Sequence, residues 1–248
     1  MRNLIFPKLK LLSTLIAIFG FLYSCSKSEY KSLTNSYNPT TSSQNLDDWI
    51  QIGGSWTISA DGTTASQNSH GGNKPFFLVS SDSYSNILLE GTVTVTGSDD
   101  DFIGWVFGLS NPTNTSDTTY KFILIDWKKE TSGGGQEGSA LAKVNGSFSS
   151  GSADINNHFF QRADTGSSGK FYVLNTNYGN SEGWVKNTNH TFKHYYTENK
   201  IKIIIDDETI FEETGEFTSG KVGLYMFSQN DASFSNISIT TGFDPSGI

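Results

Sequence analysis

The feature that most constrains the fold of this chain is a set of short apolar segments that repeat with a period of two residues. In residues 87–96, the apolar side chains of Ile87, Leu89, Val93 and Val95 alternate with polar side chains, most of them threonines. Successive side chains of a β-strand point to opposite faces of a sheet. The alternation therefore predicts a strand with one buried face and one solvated face.

Most of the remaining chain carries similar signals, with turn-forming clusters between short apolar runs. Residues 102–109 are apolar on both faces, which predicts a central strand that is covered on each side. A second strand is predicted at 120–127, after a polar loop. Further strands are predicted at 200–206, 209–211, 221–227 and 232–240. Aromatic residues reach 13%, Met is nearly absent and no repeat is found, so the sequence predicts one all-β sandwich.

The first 24 residues have the order of a bacterial lipoprotein signal peptide. Basic residues precede an apolar stretch at 11–22, which is too short for a convincing membrane anchor. The Leu-Tyr-Ser-Cys sequence that ends at Cys25 resembles a lipobox, in which Tyr23 replaces the usual small residue. We therefore expect a lipid on Cys25, and Ser26 favours the outer membrane as the destination. The alternative is a secreted protein with an unmodified cysteine.

The formal charge of the chain excludes one class of partner. The charge is −8, and removal of residues 1–24, which contain three basic residues and no acid, lowers it to −11. Nucleic acid binding requires a basic patch for the phosphates, so nucleic acid is not an expected partner. A divalent cation is a better candidate. Because Cys25 is the only cysteine, the domain has no internal disulfide.

A change of composition near Leu46 divides the mature chain. Residues 25–45 are predicted to be the lipidated cysteine and a flexible tether, since this segment has too little apolar surface to fold. Residues 46–241 are predicted to fold as one domain, and residues 242–248 are a tail. The predicted core contains Trp105, Phe107, Ile123, Ile125, Leu224 and Phe227.

Four separated motifs resemble the thrombospondin C-terminal domain. They are Trp49, the pair DDDFIGWVFG and YKFILIDWKK at 99–108 and 120–129, GWVK at 183–186, and KVGLYMFSQNDASFSNISI at 221–239. The resemblance implies a concanavalin A-like jelly-roll of two antiparallel sheets that binds calcium and adheres to a protein or matrix ligand. The tether lacks the acidic repeats that precede this domain in animals, and Asp126 replaces an apolar residue. The sequence is therefore closer to the bacterial branch.

The acidic run is the strongest candidate for a metal site. The adjacent carboxylates of Asp99, Asp100 and Asp101 repel one another unless solvent or a cation compensates them. If the strands on either side of the polar loop pair as a hairpin, the numbers of opposed residues sum to about 229. Asp126, an acid at an otherwise apolar position, then lies roughly 5 to 10 Å from Asp101. These four carboxylates predict a calcium site, and the alternative is a solvated turn.

The sequence offers little for catalysis. His190 and His194 have the spacing of a helical metal pair, but they lie in a predicted β region, so we expect surface residues. Laminarinase-like glycoside hydrolases share the jelly-roll and place paired acids on one strand. The nearest set here, Asp206, Asp207 and Glu208, falls at a predicted hairpin turn. We therefore expect a binding protein rather than an enzyme.

A glycan-binding lectin is the closest rival to protein adhesion. Tyr178 and Trp184 lie beside glycines in a predicted loop, where aromatic rings can stack on sugar rings. Trp184 also falls within a family motif, which is equally consistent with a core residue. These residues do not separate a glycan ligand from a protein ligand.

Overall fold

Two antiparallel sheets form the domain in the computed structural model, which describes residues 37–71, 73–149 and 153–248. The signal peptide, Cys25 and residues 26–36 of the predicted tether lie outside the described residues. Within the described part of the chain, no helix has both the length and the apolar character needed to cross a membrane. The two sheets confirm the predicted all-β sandwich.

The first sheet has the strand order β13-β12-β11-β6-β15-β4-β3, and β1 also pairs with β15. Its strands are β1 (Thr40–Ser43), β3 (Trp56–Ile58), β4 (Thr64–Gln67), β6 (Ile87–Val95), β11 (Asn189–Tyr196), β12 (Lys200–Ile205), β13 (Glu208–Thr214) and β15 (Ala232–Thr241).

The second sheet has the strand order β10-β9-β8-β7-β14-β5-β2. Its strands are β2 (Ile50–Ile52), β5 (Phe76–Val79), β7 (Phe102–Asn111), β8 (Thr119–Lys128), β9 (Gly138–Ser147), β10 (Phe171–Tyr178) and β14 (Lys221–Phe227). In the described residues, helical structure is confined to short pieces, namely 3-10 turns at Leu46–Asp48 and Pro245–Gly247, and α1 (Ala153–Ile155), which continues into a π-helical turn at Asn156–Phe160.

The main hydrophobic core lies between the two sheets. The odd positions of β6 point into it as predicted, and Leu89 and Val93 are fully buried there. Of the predicted core residues, Trp105, Phe107, Ile123, Ile125 and Leu224 belong to this inter-sheet core.

The outer face of the second sheet is also covered. Three side chains that follow β9 pack over the apolar outer side chains of β7, β8 and β14. They are Phe148, in the connection to α1, Ile155 of α1, and Phe159 of the π-helical turn. Phe227, which we predicted in the core, is buried in this outer cluster. Since both faces of β7 are covered, its continuous apolar pattern is explained, as the sequence predicted.

The hairpin of β7 and β8 has a register within one residue of the predicted one. Gly104 lies opposite Asp126 and Trp105 opposite Ile125, so paired numbers sum to 230 along most of the hairpin. A Cβ atom on Gly104 would lie 2.0 Å from the carbonyl oxygen of Ile125, so this position requires glycine. Next to the loop, Asn111 lies opposite Lys121 and the two numbers sum to 232, so a register shift between Phe107 and Asn111 separates this pair from the rest of the hairpin.

The predicted tether is too long at its C-terminal end. Residues 40–43 form β1, which pairs with the edge of β15 from Thr40 opposite Thr241 to Ser43 opposite Ser238. All four residues of β1 are exposed, so hydrogen bonding to the sheet orders them rather than apolar burial. Low hydrophobicity therefore could not distinguish this strand from a flexible segment.

Both histidines of β11 are buried, which corrects the expectation that they are surface residues. The even positions of β11 point inward, and this face holds His190, Phe192, His194 and Tyr196. His194 lies 4.4 Å from Trp105 between ring centroids, and neither of its ring nitrogens has a hydrogen-bond partner among the described residues. Burial lowers the pKa of His194 to about 3.

We predict that His194→Leu flattens the pH dependence of stability. The folded-state pKa of His194 lies below the unfolded value of about 6.5, so only the unfolded chain takes up this proton between the two pKa values. The free energy of unfolding therefore falls as the pH falls through this window, by about 2 kcal/mol between pH 7 and pH 5. Urea denaturation at both pH values should show this loss reduced by about that amount in His194→Leu.

The control for this experiment is Phe192→Leu, which changes the neighbouring core ring without changing an ionisable group. It should lower stability at both pH values and keep the wild-type pH dependence. An unchanged pH dependence in His194→Leu would show that His194 is not held neutral in the folded state.

Candidate functional site

The acidic run lies in the connection between β6 and β7, at one end of the sandwich. Asp99, Asp100 and Asp101 each offer a carboxylate oxygen, and these oxygens lie within 4.8 Å of one another. Asp99 Oδ2 lies 2.8 Å from His70 Nδ1, and Asp100 Oδ1 accepts a hydrogen bond from Ser132 Oγ at 3.2 Å. The structure therefore brings together the three consecutive aspartates of the predicted metal site.

Lys128 compensates the buried member of the run. This lysine ends β8 with a fully buried side chain, and its Nζ lies 2.7 Å from Asp101 Oδ1 and 3.5 Å from Asp100 Oδ1. The ammonium also lies about 5 Å from the ring centroids of Phe102 and Phe160. Burial raises the pKa of Asp101, and the hydrogen bond from Lys128 opposes that rise. The ammonium group thus already occupies a cation position beside Asp101.

Asp126 does not join the acidic run, which corrects the predicted ligand set. Its side chain points to the outer face of the second sheet and is 1% exposed. Arg162 Nη2 lies 2.7 Å from Asp126 Oδ1, and both side chains are buried. The expectation that this carboxylate needs a partner was sound. The partner is a guanidinium group from a distant part of the chain rather than a shared cation.

Arg162 follows the π-helical turn and adopts a left-handed backbone conformation with φ of 53°. Its Nη1 donates to the carbonyl of Gln136 and its Nη2 to the carbonyl of Gly138, each at 2.9 Å. The guanidinium lies 4.9 Å from the ring centroid of Phe102 and 5.0 Å from that of Tyr178. The Arg162 side chain therefore holds together the segment 153–162 that covers the second sheet, the start of β9 and the ring of Tyr178.

Burial raises the pKa of Asp126, and Arg162 counteracts part of this rise. The contact between them is electrostatic rather than a well-aligned hydrogen bond, because neither Asp126 oxygen has a partner with hydrogen-bond geometry in the part of the chain that the structure describes. The buried Tyr225 hydroxyl likewise has no partner there. The pair is therefore held by its surroundings and not by an optimal fork geometry.

An open groove of about 450 Å³ lies beside Arg162 at the edge formed by β10. Tyr178 is half-buried in its wall, so part of this residue is accessible to solvent. The polar side chains that line the groove are Gln136, Gln161, Asp164, Asn175, Thr176 and Tyr178. Amide, carboxylate and hydroxyl groups around one aromatic ring can bind the hydroxyl groups and the apolar face of a sugar.

Trp184 is a core residue and not a stacking platform, which corrects its assignment as a ligand-binding residue. It is 1% exposed in the inter-sheet core, and its Nε1 donates to the carbonyl of Asp101 at 3.0 Å. A Cβ atom on the preceding Gly183 would lie 1.9 Å from the carbonyl oxygen of Lys129. The Gly-Trp motif therefore anchors this loop beneath the acidic run.

The acids at 206–208 form the predicted hairpin turn between β12 and β13. Asp206 and Asp207 both have left-handed φ values, which match a two-residue hairpin turn. The Asp206 carboxylate accepts the backbone N–H of Thr191 at 2.8 Å and contacts His190 Nδ1 at 2.6 Å. The turn acids thus serve to connect strands.

Two charged residues of the candidate site were not predicted from the sequence. Lys128 shares a face with Asp126 two residues earlier, so strand periodicity could have identified it as a second buried charge. Arg162 gives no such signal, because it lies outside any strand and 36 residues beyond Asp126.

Comparisons with known proteins agree with this fold. Residues 51–241 match the family model described as the thrombospondin C-terminal region. A search of curated protein sequences gave no match. Among solved structures, the carbohydrate-binding module CBM66 from Bacillus subtilis has a TM-score of 0.54 at 15% identity, over 78% of this chain and 96% of that chain.

Two further solved structures are also similar to this chain. The VIP36 exoplasmic/lumenal domain in its Ca2+/Man-bound form has a TM-score of 0.50 at 11% identity, over 79% of this chain and 83% of that chain. The legume lectin-like domain from Entamoeba histolytica has a TM-score of 0.50 at 12% identity, over 80% of this chain and 92% of that chain. At these identities the likeness shows a lectin-like jelly-roll fold.

We predict that breaking the Asp126–Arg162 pair is costly, whereas replacing both partners is tolerated better. Asp126→Asn leaves a buried guanidinium without its counter-charge and should lower the free energy of unfolding by about 3–5 kcal/mol. The double replacement Asp126→Leu with Arg162→Met should lose clearly less than the sum of the two single changes. Urea denaturation of the four proteins gives the coupling energy.

The exposed pair Lys193–Asp207, with Nζ and Oδ1 at 3.1 Å, is the matched control. Its coupling energy should be below about 1 kcal/mol, since solvent screens both charges. An equally small coupling energy for Asp126 and Arg162 would contradict the role assigned to the buried pair.

Proposed function

Because the chain belongs to the thrombospondin C-terminal region family, and its fold is that of lectin-like domains, we propose that it is a non-catalytic carbohydrate-binding module. We place the ligand in the Tyr178 groove. The observation that carries the proposal is the set of polar side chains that surrounds one partly accessible aromatic ring. The carbohydrate-binding names of two structural neighbours, CBM66 and the Man-bound VIP36 domain, support the same ligand class.

The buried Arg162 side chain behind the groove holds the groove in shape before a sugar binds. Arg162 is buried and bound to two backbone carbonyls, so the Tyr178 ring that lies against it is held in place. Ordering of the ring in the free protein reduces the entropy lost on binding. Asn175 is held as well, because its Nδ2 donates to Glu213 Oε1 at 2.5 Å on the other sheet.

A protein or matrix ligand is the second candidate, and a different surface favours it. The edge strand β2 of the second sheet exposes Ile50 to 39% beside an apolar groove of about 320 Å³. Ile52, Leu109 and Pro112 also line this groove. Short edge strands and exposed apolar residues are features that protein ligands use.

The absence of catalysis is part of the proposal. The acids that most resemble a catalytic pair are Asp206 and Asp207. They occupy a turn, where the Asp206 carboxylate already accepts a backbone N–H. Retaining glycosidases need two carboxyl groups that face one cleft about 5 Å apart. These acids instead belong to the hairpin turn that connects β12 to β13.

Calcium is the proposed stabilising ion of the acidic run. Asp99, Asp100 and Asp101 would hold it through carboxylate oxygens, and with the Lys128 ammonium the four side chains carry a net charge of −2 that a divalent cation balances. Calcium takes six to eight oxygen ligands, so loop carbonyls and water would supply the rest. Its role would be to reduce the repulsion between adjacent carboxylates and fix the loop before β7.

We also propose that the mature protein is anchored to the outer membrane through a lipid on Cys25. The support for this anchor is the order of basic, apolar and small residues before the only cysteine. Several acyl chains would hold the protein more firmly than one. Mass spectrometry of the mature N-terminus should find acyl groups on Cys25, and an unmodified cysteine or another cleavage site would rule out the anchor.

We predict that Tyr178→Ala weakens carbohydrate binding by roughly two- to tenfold without unfolding the domain. Loss of the ring removes the stacking surface, and an aromatic contact of this kind contributes about 0.5–1.5 kcal/mol. A panel of neutral polysaccharides that includes mannan identifies the ligand, and calorimetric titration measures the affinities. The control is Tyr37→Ala, which removes an exposed tyrosine next to β1, on the other sheet. Equal binding by both variants would contradict the groove assignment.

We predict that calcium raises the melting temperature of the wild-type protein by about 4 to 7 °C. A site with a dissociation constant of ~0.1 mM in ~2 mM calcium stabilises the fold by ~1.8 kcal/mol, which corresponds to this rise for a domain of about 200 residues. Asp99→Asn and Asp100→Asn should each remove most of the rise, whereas the exposed Asp207→Asn should keep it. Equal melting temperatures in EDTA and in calcium, for protein shown to start metal-free, would remove the calcium site.

A further inference from the structure

Another groove lies at the other end of β8 from the acidic run. Its volume is about 260 Å³, and it is floored by Phe107 and Ile123. Lys121 is five residues from Asp126 along the strand, which separates the two ends by roughly 17 Å. The loop after β13 forms the opposite wall with Phe217 and Thr218. The groove shares no lining residue with the Tyr178 groove and none with the acidic run at 99–101.

Two lysines share one face of this groove. Lys121 lies opposite Asn145 and Lys143 lies opposite Ile123, so the two lysines are diagonal neighbours on adjacent strands. Such neighbours lie about 7–8 Å apart, and their Cβ atoms are somewhat closer. Ile123 belongs to the inter-sheet core, so both lysines extend from the inner face of the second sheet where that core ends. Both are exposed at the mouth of the groove.

Neither lysine is neutralised by an acid of the described residues. In the described residues, the lysines that form ion pairs include Lys128, Lys170, Lys193, Lys200 and Lys202 but not Lys121 or Lys143.

Two acidic residues near the groove leave the positive charge of the two lysines in place. Glu216 is the only acid among the residues that line the groove, and it forms no ion pair with either lysine. Glu213, on β13, already accepts a hydrogen bond from Asn175. The groove therefore carries a net positive charge in a chain whose formal charge is −8.

A second pair of lysines shows that this arrangement is not a general property of the surface. Lys193 and Lys202 are diagonal neighbours on β11 and β12, with the same geometry as Lys121 and Lys143. Each of these two lysines has an acidic partner, Asp207 at 3.1 Å and Glu212 at 3.8 Å. Only the pair at the groove keeps its charge available for a ligand.

We propose that this groove binds an acidic sugar unit of a polysaccharide, through a carboxylate or sulfate group placed between Lys121 and Lys143. An anion between two like charges relieves their repulsion and gains charge-assisted hydrogen bonds from both. The groove continues beyond the lysines to the Asn145 amide and the Thr218 hydroxyl, which can bind sugar hydroxyls. Its volume accommodates one sugar unit rather than a long stretch of chain.

Calorimetric titration of the full mature protein tests this site with four probes: oligogalacturonate, dextran sulfate, neutral dextran and inorganic sulfate. The double variant Lys121→Gln with Lys143→Gln should bind the better of the two acidic carbohydrates at least tenfold more weakly than wild type. The double variant Lys193→Gln with Lys202→Gln removes the same net charge and should bind it like wild type. Increasing the salt from 0.15 M to 1 M should weaken wild-type binding, because the charges are exposed.

Tyr178→Ala should leave binding of the acidic carbohydrate unchanged, which separates this site from the Tyr178 groove. Equal losses in the two lysine double variants, or no binding of either acidic carbohydrate by wild type, would overturn the proposal. Binding of inorganic sulfate as tightly as dextran sulfate, per sulfate group, would overturn the assignment to a polysaccharide and identify a simple anion site. Melting temperatures within about 2 °C of wild type show that the exposed substitutions leave the fold intact.

Discussion

The buried ion pair of Asp126 and Arg162 is the interaction on which the candidate site depends. A sheet with two apolar faces needs a cover on each, and the first sheet covers only one. The segment 153–162 covers the other face, and Arg162 pairs the end of this segment with Asp126, near the C-terminal end of β8. The same guanidinium holds the start of β9 and the Tyr178 ring. A single buried contact thus closes the outer core and shapes the groove.

The two charged ends of β8 differ because their surroundings differ. At the acidic end, Lys128 is fully buried and lies between carboxylates and aromatic rings, so its charge is used within the fold. At the other end, Lys121 and Lys143 extend past the edge of the inter-sheet core into solvent. The first arrangement stabilises one loop conformation, and the second leaves positive charge for an external partner. Residues of the same type therefore take opposite roles according to burial.

The sequence predicted the central strands well because their signal is local. The two-residue period placed β6, the apolar run after the polar loop placed β8, and the loop between β7 and β8 placed Asp126 within one residue of its observed partner. The remaining site residues depend on contacts between distant segments. No pattern links Asp126 to Arg162 across β9 and the helical segment, and β1 is ordered by hydrogen bonds that leave no apolar signal. Burial of Trp184 likewise depends on a loop that folds back beneath the acidic run.

The central claim is that carbohydrate binds in the groove beside Tyr178. The most direct measurement is a nuclear magnetic resonance titration of the mature protein with the strongest-binding neutral oligosaccharide. The side-chain amides of Gln136, Gln161 and Asn175 line the groove, and their resonances should shift the most at saturation. Shifts confined to the apolar groove around Ile50, with these amides unchanged, would contradict the claim and favour the edge strand as the binding surface.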